Sequence, residues 1–191
     1  MADYPPPGAG KAEWRAWARR IRSSLDVAEI SRQIVVHLQS WKELRTAHTV
    51  LSFVPMPDEP DLTVLADRTD ARFVVTRMTE GDGPLTLHPL DAPMERHRFG
   101  FSQPVVGTPV VDAAEVDVAL VPGLVFDRRG VRLGRGMAYF DALLASLRDD
   151  ARRVGVTPAA LVVPEVPEAP HDVRMTDLVT EEGVRVADVA P

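Results

Sequence analysis

Residues 117–147 read DVALVPGLVFDRRGVRLGRGMAYFDALLASL, and three physical periods follow one another within them. Val118, Ala119, Leu120 and Val121 form a short apolar run that Pro122-Gly123 ends. A strand of a parallel sheet, buried on both faces, reads this way because it has no solvent side to alternate with. Over 123–136 the sequence predicts a loop, with glycines at 123, 130, 134 and 136. From Tyr139 onward Phe140, Leu143, Leu144 and Leu147 recur at helical steps, which predicts a helix over 139–149. Strand, glycine-rich loop and helix in that order can make an anion cradle. Glycines let backbone N–H groups approach a ligand closely, and a helix start favours negative charge. Arg132 and Arg135 add forked donors that suit phosphate oxygens. Asp141, in the first predicted turn, is placed either to cap the helix or to hold a metal that bridges phosphates. The loop lacks the closing lysine and hydroxyl of a Walker A loop, and it is not a GxGxxG fingerprint. By itself it is either a phosphate site or a tight structural turn.

On the N-terminal side, residues 1–10 hold a run of prolines and are expected to be a disordered tail. Trp14, Ala18, Ile21 and Leu25 then recur at steps of three and four, with Trp17 widening the stripe, so a helix starts at Lys11. Lys11 and Arg15 border that stripe, either as a solvated edge or as a pair that reaches a polyphosphate. Asp26 with Glu29 outlines a capping box for a second helix, whose apolar face is Ile30, Ile34, Val35 and Leu38. A strand over 49–54 follows, stopped by Pro55 and Pro57. Glu59 lies just past its end, where open α/β sheets bind ligands; the alternative is an acidic turn that caps a helix over 61–67.

Further strands are expected at 73–75 and 85–88, joined by a turn at 81–84 as an antiparallel hairpin. His88 and His97 lack ligand partners in the pattern and are expected to be structural or surface residues. A short helix is expected around 113–115. Gly155 is expected to stop the helix that begins at 139, and Leu161 to Val163 to form a last core strand. Pro164, Pro167 and Pro170 confine the loop before His171-Asp172.

The chain has 191 residues and a formal net charge of −6, enough for one domain with a core and unsuited to nonspecific nucleic-acid binding. The absence of cysteine excludes a disulfide framework, a zinc–thiolate site and a thiol nucleophile. No long apolar segment or signal peptide stands out, which leads to the expectation of a cytoplasmic protein without membrane contact. Short apolar runs alternating with helical patterns predict one three-layer α/β domain over 11–191, with a mostly parallel twisted sheet.

The order Pro122, Gly123, Phe126, Asp127, Gly130, Arg132, Leu133, Gly134, Arg135, Gly136, Tyr139, Phe140 and Asp141 resembles the signature of the 5-formyltetrahydrofolate cyclo-ligase (methenyltetrahydrofolate synthetase) family. Weaker pieces extend the resemblance from Lys11 to about Val184. It implies a fold like ribose-phosphate isomerase and CoA-transferase domains, with ligands over the C-terminal strand ends. It also implies ATP-dependent closure of 5-formyltetrahydrofolate to 5,10-methenyltetrahydrofolate, with magnesium, by a cytoplasmic monomer. By the same resemblance ATP meets Lys11, Arg15, Arg132, Leu133, Gly134, Arg135, Gly136, Met137, Ala138, Tyr139 and Phe140. The folate meets Val54, Glu59, Phe101, Arg135 and Tyr139. Lys11, Arg135 and Tyr139 serve the chemistry, and Asp141 and Asp172 serve the metal. The sequence departs from the family pattern at Leu62 (threonine), Gln103 (acid), Ala138 (glycine) and Phe140 (tyrosine). These departures keep two other possibilities open: a paralogue acting on another folate-like or carboxylate substrate, and a non-catalytic nucleotide-binding protein.

Overall fold

Burial of period two builds the main sheet. Val50, Val118, Leu120, Val154 and Val156 turn to one face, and Leu51, Ala119, Val121 and Leu178 to the other. A computed structural model describes residues 4–79, 83–98, 100–136 and 139–188. Along the chain these form α1 (Lys11–Arg22), α2 (Val27–Ser40), α3 (Lys42–Thr46), β1 (Thr49–Leu51), β2 (Arg72–Arg77), β3 (Thr86–Pro89), β4 (Met94–Arg96) and β5 (Ser102–Pro104). They continue with β6 (Val118–Pro122), β7 (Val125–Asp127), β8 (Arg132–Leu133), α4 (Tyr139–Ala145), β9 (Arg152–Val156), β10 (Val162–Val163), β11 (Asp177–Thr180) and β12 (Gly183–Val186).

Seven strands pair in the order β12-β11-β9-β6-β1-β2-β3. The five inner strands are parallel, and β12 and β3 close the two edges antiparallel. Helix α2 covers one face with Ile30, Ile34, Val35 and Leu38, as its spacing predicts; Asp26 Oδ1 caps it by accepting from Glu29 N at 3.0 Å. Helix α4 covers the other face with Leu143 and Leu144. After β1 the chain adds β2 on one side, then returns to β6 on the other side and grows away. The loops after β1 and β6 therefore diverge, and the crevice between them is where open parallel sheets hold ligands.

Several local expectations change. The segment 123–136 is not a plain loop: β7 and β8 form a hairpin within it, and β10 pairs parallel to β7, making a small second sheet. Asp127 is fully buried at its turn, where Oδ1 accepts from the N–H groups of Arg129 (2.9 Å) and Val131 (3.0 Å). Gly130 has φ +84°, and a β-carbon there would lie 2.4 Å from the Met175 carbonyl oxygen, so glycine is needed at that turn. Leu161 to Val163 contribute β10 to this small sheet rather than a strand to the main one. The 49–54 strand ends at Leu51, and 61–67 contains only a 3-10 turn at Thr63–Asp67. Helix α4 stops at Ala145, and Gly155 lies inside β9 instead of ending a helix. The 81–84 turn lies mostly outside the described residues, but β2 and β3 do pair antiparallel on either side of it.

The small sheet is the platform for α1. Trp14, Trp17 and Ala18 pack on Leu124, Val125, Val131, Leu133, Leu161 and Val163. Tyr4, within the proline-rich N-terminal segment, sets its ring 5.5 Å from that of Trp17. The fold thus holds the start of α1 above the C-terminal ends of β1 and β6. No helix among the described residues is long and apolar enough to cross a membrane.

Gly155 is occupied by its neighbours: a β-carbon there would meet the Phe126 ring at 2.5 Å and Leu178 Cδ2 at 2.7 Å. Gly155→Ala is expected to overpack the junction of the two sheets and destabilise the protein by roughly 1–3 kcal/mol. Urea denaturation of the variant checks this; an unchanged midpoint would contradict the packing argument.

Candidate active site

A cavity of about 690 Å³ opens at the divergence of the β1 and β6 loops. Its apolar side comprises Phe53, Val54, Met56, Met78, Leu85 and Phe101. Its charged side receives Lys11 and Arg15 from α1, Arg132 and Arg135 from the stretch after β7, and Asp141 from α4. Glu59 enters from the turn after β1, and Asp172 from the proline-confined loop before β11. Leu133, Gly134, Gly136, Tyr139 and Phe140 complete the wall. Met137 and Ala138 lie outside the described residues. The fold therefore gathers all the other site candidates, which span 161 residues of separation between Lys11 and Asp172, around one space.

Each carboxylate in the cavity has a cation on it. Lys11 Nζ donates to Asp172 Oδ2 at 2.8 Å. Arg132 Nη2 donates to Asp141 Oδ2 at 2.9 Å, and its Cζ lies 5.7 Å above the Phe140 ring. Arg135 reaches Glu59 Oε1 through Nε at 3.1 Å and Nη2 at 3.0 Å, and Asp58 Oδ1 at 2.6 Å. Glu59 is buried, and its Oε2 accepts from Met56 N at 3.1 Å, which fixes the turn. Arg15 donates to the Gly134 carbonyl at 3.0 Å.

Environment shifts these groups in ways that the geometry explains. Burial pushes the Asp172 carboxyl up, but the Lys11 ammonium and the Ala169 N–H outweigh it and hold the group below its ordinary value. Burial pulls Arg135 down, while Glu59 and Asp58 more than offset that and raise it.

The glycines have a plainer role than a bare cradle. A β-carbon at Gly134 would meet Arg132 Nη1 at 2.6 Å, and one at Gly136, where φ is +110°, would stand 3.4 Å from Arg15 Cζ. The space that the glycines leave seats the arginines.

A magnesium ion carried with a polyphosphate needs only one or two protein carboxylates. Among the described residues no cluster of three or more His, Cys, Asp or Glu is set to hold a metal. Asp141 Oδ1 is buried with no hydrogen-bond partner among the described residues, and Asp172 shares the same cavity. That donor set fits a phosphate-borne ion and not a closed protein cage.

Two departures from the family pattern lie away from the cavity wall. Leu62 is buried in the core against the α2 face. Gln103 is buried beside it, accepting from Met78 N and donating to Glu95 Oε1, both at 3.1 Å. His88 is structural: its ring bonds Thr86 Oγ1 and the carbonyls of Thr108 and Pro109. His97 stacks on Phe101, with centroids 4.6 Å apart.

Sequence reasoning missed Arg22 and Asp58, which bond to the β1 turn and to Arg135 beside the cavity, along with the wall residues Met56, Thr76, Met78 and Leu85. For Arg22 a signal existed: Lys11, Arg15, Ala18 and Arg22 recur at helical steps along one side of α1.

The model of the 5-formyltetrahydrofolate cyclo-ligase family matches residues 11–181. The chain belongs to that family. It is 33% identical over 144 residues to 5-formyltetrahydrofolate cyclo-ligase of Mycolicibacterium smegmatis, covering 71% of this chain and 74% of that protein. The solution structure of Aquifex aeolicus 5,10-methenyltetrahydrofolate synthetase matches with a TM-score of 0.81 and 28% identity, over 95% of this chain and 94% of that one. The 5,10-methenyltetrahydrofolate synthetase of Mycoplasma pneumoniae matches with a TM-score of 0.75 over 91% of this chain and 99% of that one; at 16% identity the likeness is one of fold. The three-layer domain with a largely parallel sheet is thus the architecture of the family.

Because the folded Asp172 carboxyl is held below its unfolded value of about 3.9, the Lys11–Asp172 tie contributes stability above that pH and loses it as pH falls through the folded value. Asp172→Asn should flatten the loss of stability between about pH 5 and pH 2 relative to the unaltered protein. Denaturant midpoints across that range decide; parallel curves would show that the tie contributes nothing.

Proposed function

We propose that the chain is an ATP-dependent cyclo-ligase that converts 5-formyltetrahydrofolate to 5,10-methenyltetrahydrofolate, releasing ADP and phosphate. The observation that carries this is the single cavity that joins a cluster of cations and carboxylates to an apolar wall with a buried glutamate. Such a space accommodates a polyphosphate and a flat heteroaromatic ring at once. In this proposal residues 11–191 act as one catalytic unit, monomeric and cytoplasmic.

The formyl oxygen of the folate attacks the γ-phosphorus of the co-substrate ATP, ADP leaves, and N10 attacks the activated carbon. The N10 proton and the phosphate are then lost as the ring closes. The demands on the protein are alignment and charge neutralisation, with no protein nucleophile. Lys11, Arg15 and Arg135 bind the polyphosphate, with Arg135 nearest the transferred group. Arg132 holds Asp141 in place, and Asp141 and Asp172 would hold the magnesium, which would supply charge neutralisation on the phosphates. The Gly134–Gly136 backbone lies along the phosphates. Glu59 accepts hydrogen bonds from the pterin, while Val54, Phe101 and Tyr139 flank the folate. Phe140 offers its ring to Arg132 where a tyrosine would also offer a hydroxyl.

Purified protein with 5-formyltetrahydrofolate, ATP and magnesium is expected to form the methenyl product, followed by its near-ultraviolet absorbance, with ADP and phosphate released one for one. Chelation of magnesium or omission of either substrate should stop turnover. ATP binding without methenyl formation would overturn the proposal; turnover on other pterins or carboxylates would then indicate a paralogue, and binding without any hydrolysis a nucleotide-binding protein. Lys11→Ala removes one charge-assisted contact and should lower kcat/KM for ATP about 30-fold, equivalent to roughly 2 kcal/mol, with folding retained.

A further inference from the structure

Arg22 lies in the last turn of α1 with its guanidinium almost wholly buried, 3% exposed. Among the described residues no carboxylate is in direct contact with it. Nη1 donates to the carbonyl of Asp58 at 2.7 Å, and Nη2 donates to the carbonyl of Gly123. Nε is buried without a partner among the described residues. The two acceptors belong to the two diverging loops, the turn after β1 and the loop after β6. Burial pulls the guanidinium below its ordinary value, Asp58 and Glu59 pull it back up, and Arg135 opposes it. Of these two arginines Arg135 is the one bonded to the Asp58 and Glu59 carboxylates.

Helix α1 does not depend on Arg22 for its place, since Trp14, Trp17 and Ala18 seat it on the small sheet. Apart from the Arg135 contacts to Asp58 and Glu59, the Met56–Glu59 turn is held by two bonds: Glu59 N donates to the Met56 carbonyl at 2.9 Å, and Met56 N donates back to Glu59 Oε2. Both bonds are internal to the turn. Arg22 ties that turn to the β6 loop.

We propose that Arg22 is a positioning residue for the folate subsite: it clamps the turn that carries Glu59 to the Gly123 loop. The proposal rests on the cyclo-ligase reading, and it assigns the clamp to folate recognition and not to ATP recognition. Lys11 and Arg15 are held by the packed face of α1, so ATP binding should be nearly insensitive to Arg22.

The experiment compares Arg22→Lys and Arg22→Gln with the unaltered protein in the methenyl-forming assay, varying each substrate in turn. No turnover by the unaltered protein would overturn the underlying reading and leaves the variants nothing to report. With that protein active, Arg22→Gln should raise the KM for 5-formyltetrahydrofolate roughly tenfold or more, the scale of a lost charge-assisted hydrogen bond, and move the KM for ATP by less than about twofold. Arg22→Lys, which keeps the charge but not the fork, should fall between. Equal changes in both KM values, or loss of thermal stability with both values unchanged, would overturn the proposal and leave Arg22 as a packing residue. Should Arg22→Gln not fold, the side-chain Nε–H signal of Arg22 in the unaltered protein provides a second test. It should shift when 5-formyltetrahydrofolate is added and stay in place with ATP alone; the opposite pattern would overturn the assignment.

Discussion

Glu59 and Arg135 meet at 3.0 Å across the crevice where the β1 loop and the glycine-rich segment face each other. Glu59 is buried, so its charge requires a partner, and Arg135 provides it while also pairing with Asp58. The same device recurs around the cavity with Lys11 on Asp172 and Arg132 on Asp141. A cavity lined by bare cations would repel itself, and one lined by bare carboxylates would take up protons. Pairing them keeps the space charged and ready. On the proposed reading a polyphosphate with its metal ion would suit this arrangement: its anionic oxygens would take over the cations and the ion would take over Asp141 and Asp172, so that partners are exchanged.

The architecture follows from how few elements carry that pairing. Parallel strands β1 and β6 are neighbours in register, Val50 beside Val118 and Leu51 beside Ala119, so their C-terminal ends open on the same side of the sheet. Their loops must part because the chain builds the sheet in opposite directions from them. The small sheet of β7, β8 and β10 stands over the gap and carries α1 with Lys11 and Arg15. Glycines at 134 and 136 keep room for Arg132 and Arg15. A β-carbon at 134 would displace the Arg132 guanidinium, and at 136 the φ of +110° would strain any other residue.

Much of this was legible in the sequence. The apolar runs at 50–51, 73–75 and 118–121 and the faces of α1 and α2 have the periods their burial requires, and the structure puts them where those periods say. The site residues were legible as a set because the resemblance joins Lys11, Glu59 and Asp172 to the central stretch. What escaped has physical reasons. Strands β7 and β8 are three and two residues long, and their pairing depends on β10, which lies far along the chain. Strand β9 begins with two arginines and contains Gly155, whose missing side chain makes room for the Phe126 ring; nothing local announces that. The helical steps Lys11, Arg15, Ala18 and Arg22 place Arg22 on the site side of α1, but its acceptors are backbone carbonyls, which every residue supplies, so the sequence does not mark which loops it joins.

The central claim is that Arg135 changes partners. A crystal structure with magnesium and a non-hydrolysable ATP analogue tests it most directly. The account predicts that the Arg135 guanidinium leaves Glu59, where it now donates at 3.0 and 3.1 Å, and donates to the polyphosphate together with Lys11. An analogue bound in the cavity with Arg135 still forked on Glu59 and Lys11 still on Asp172 would contradict it.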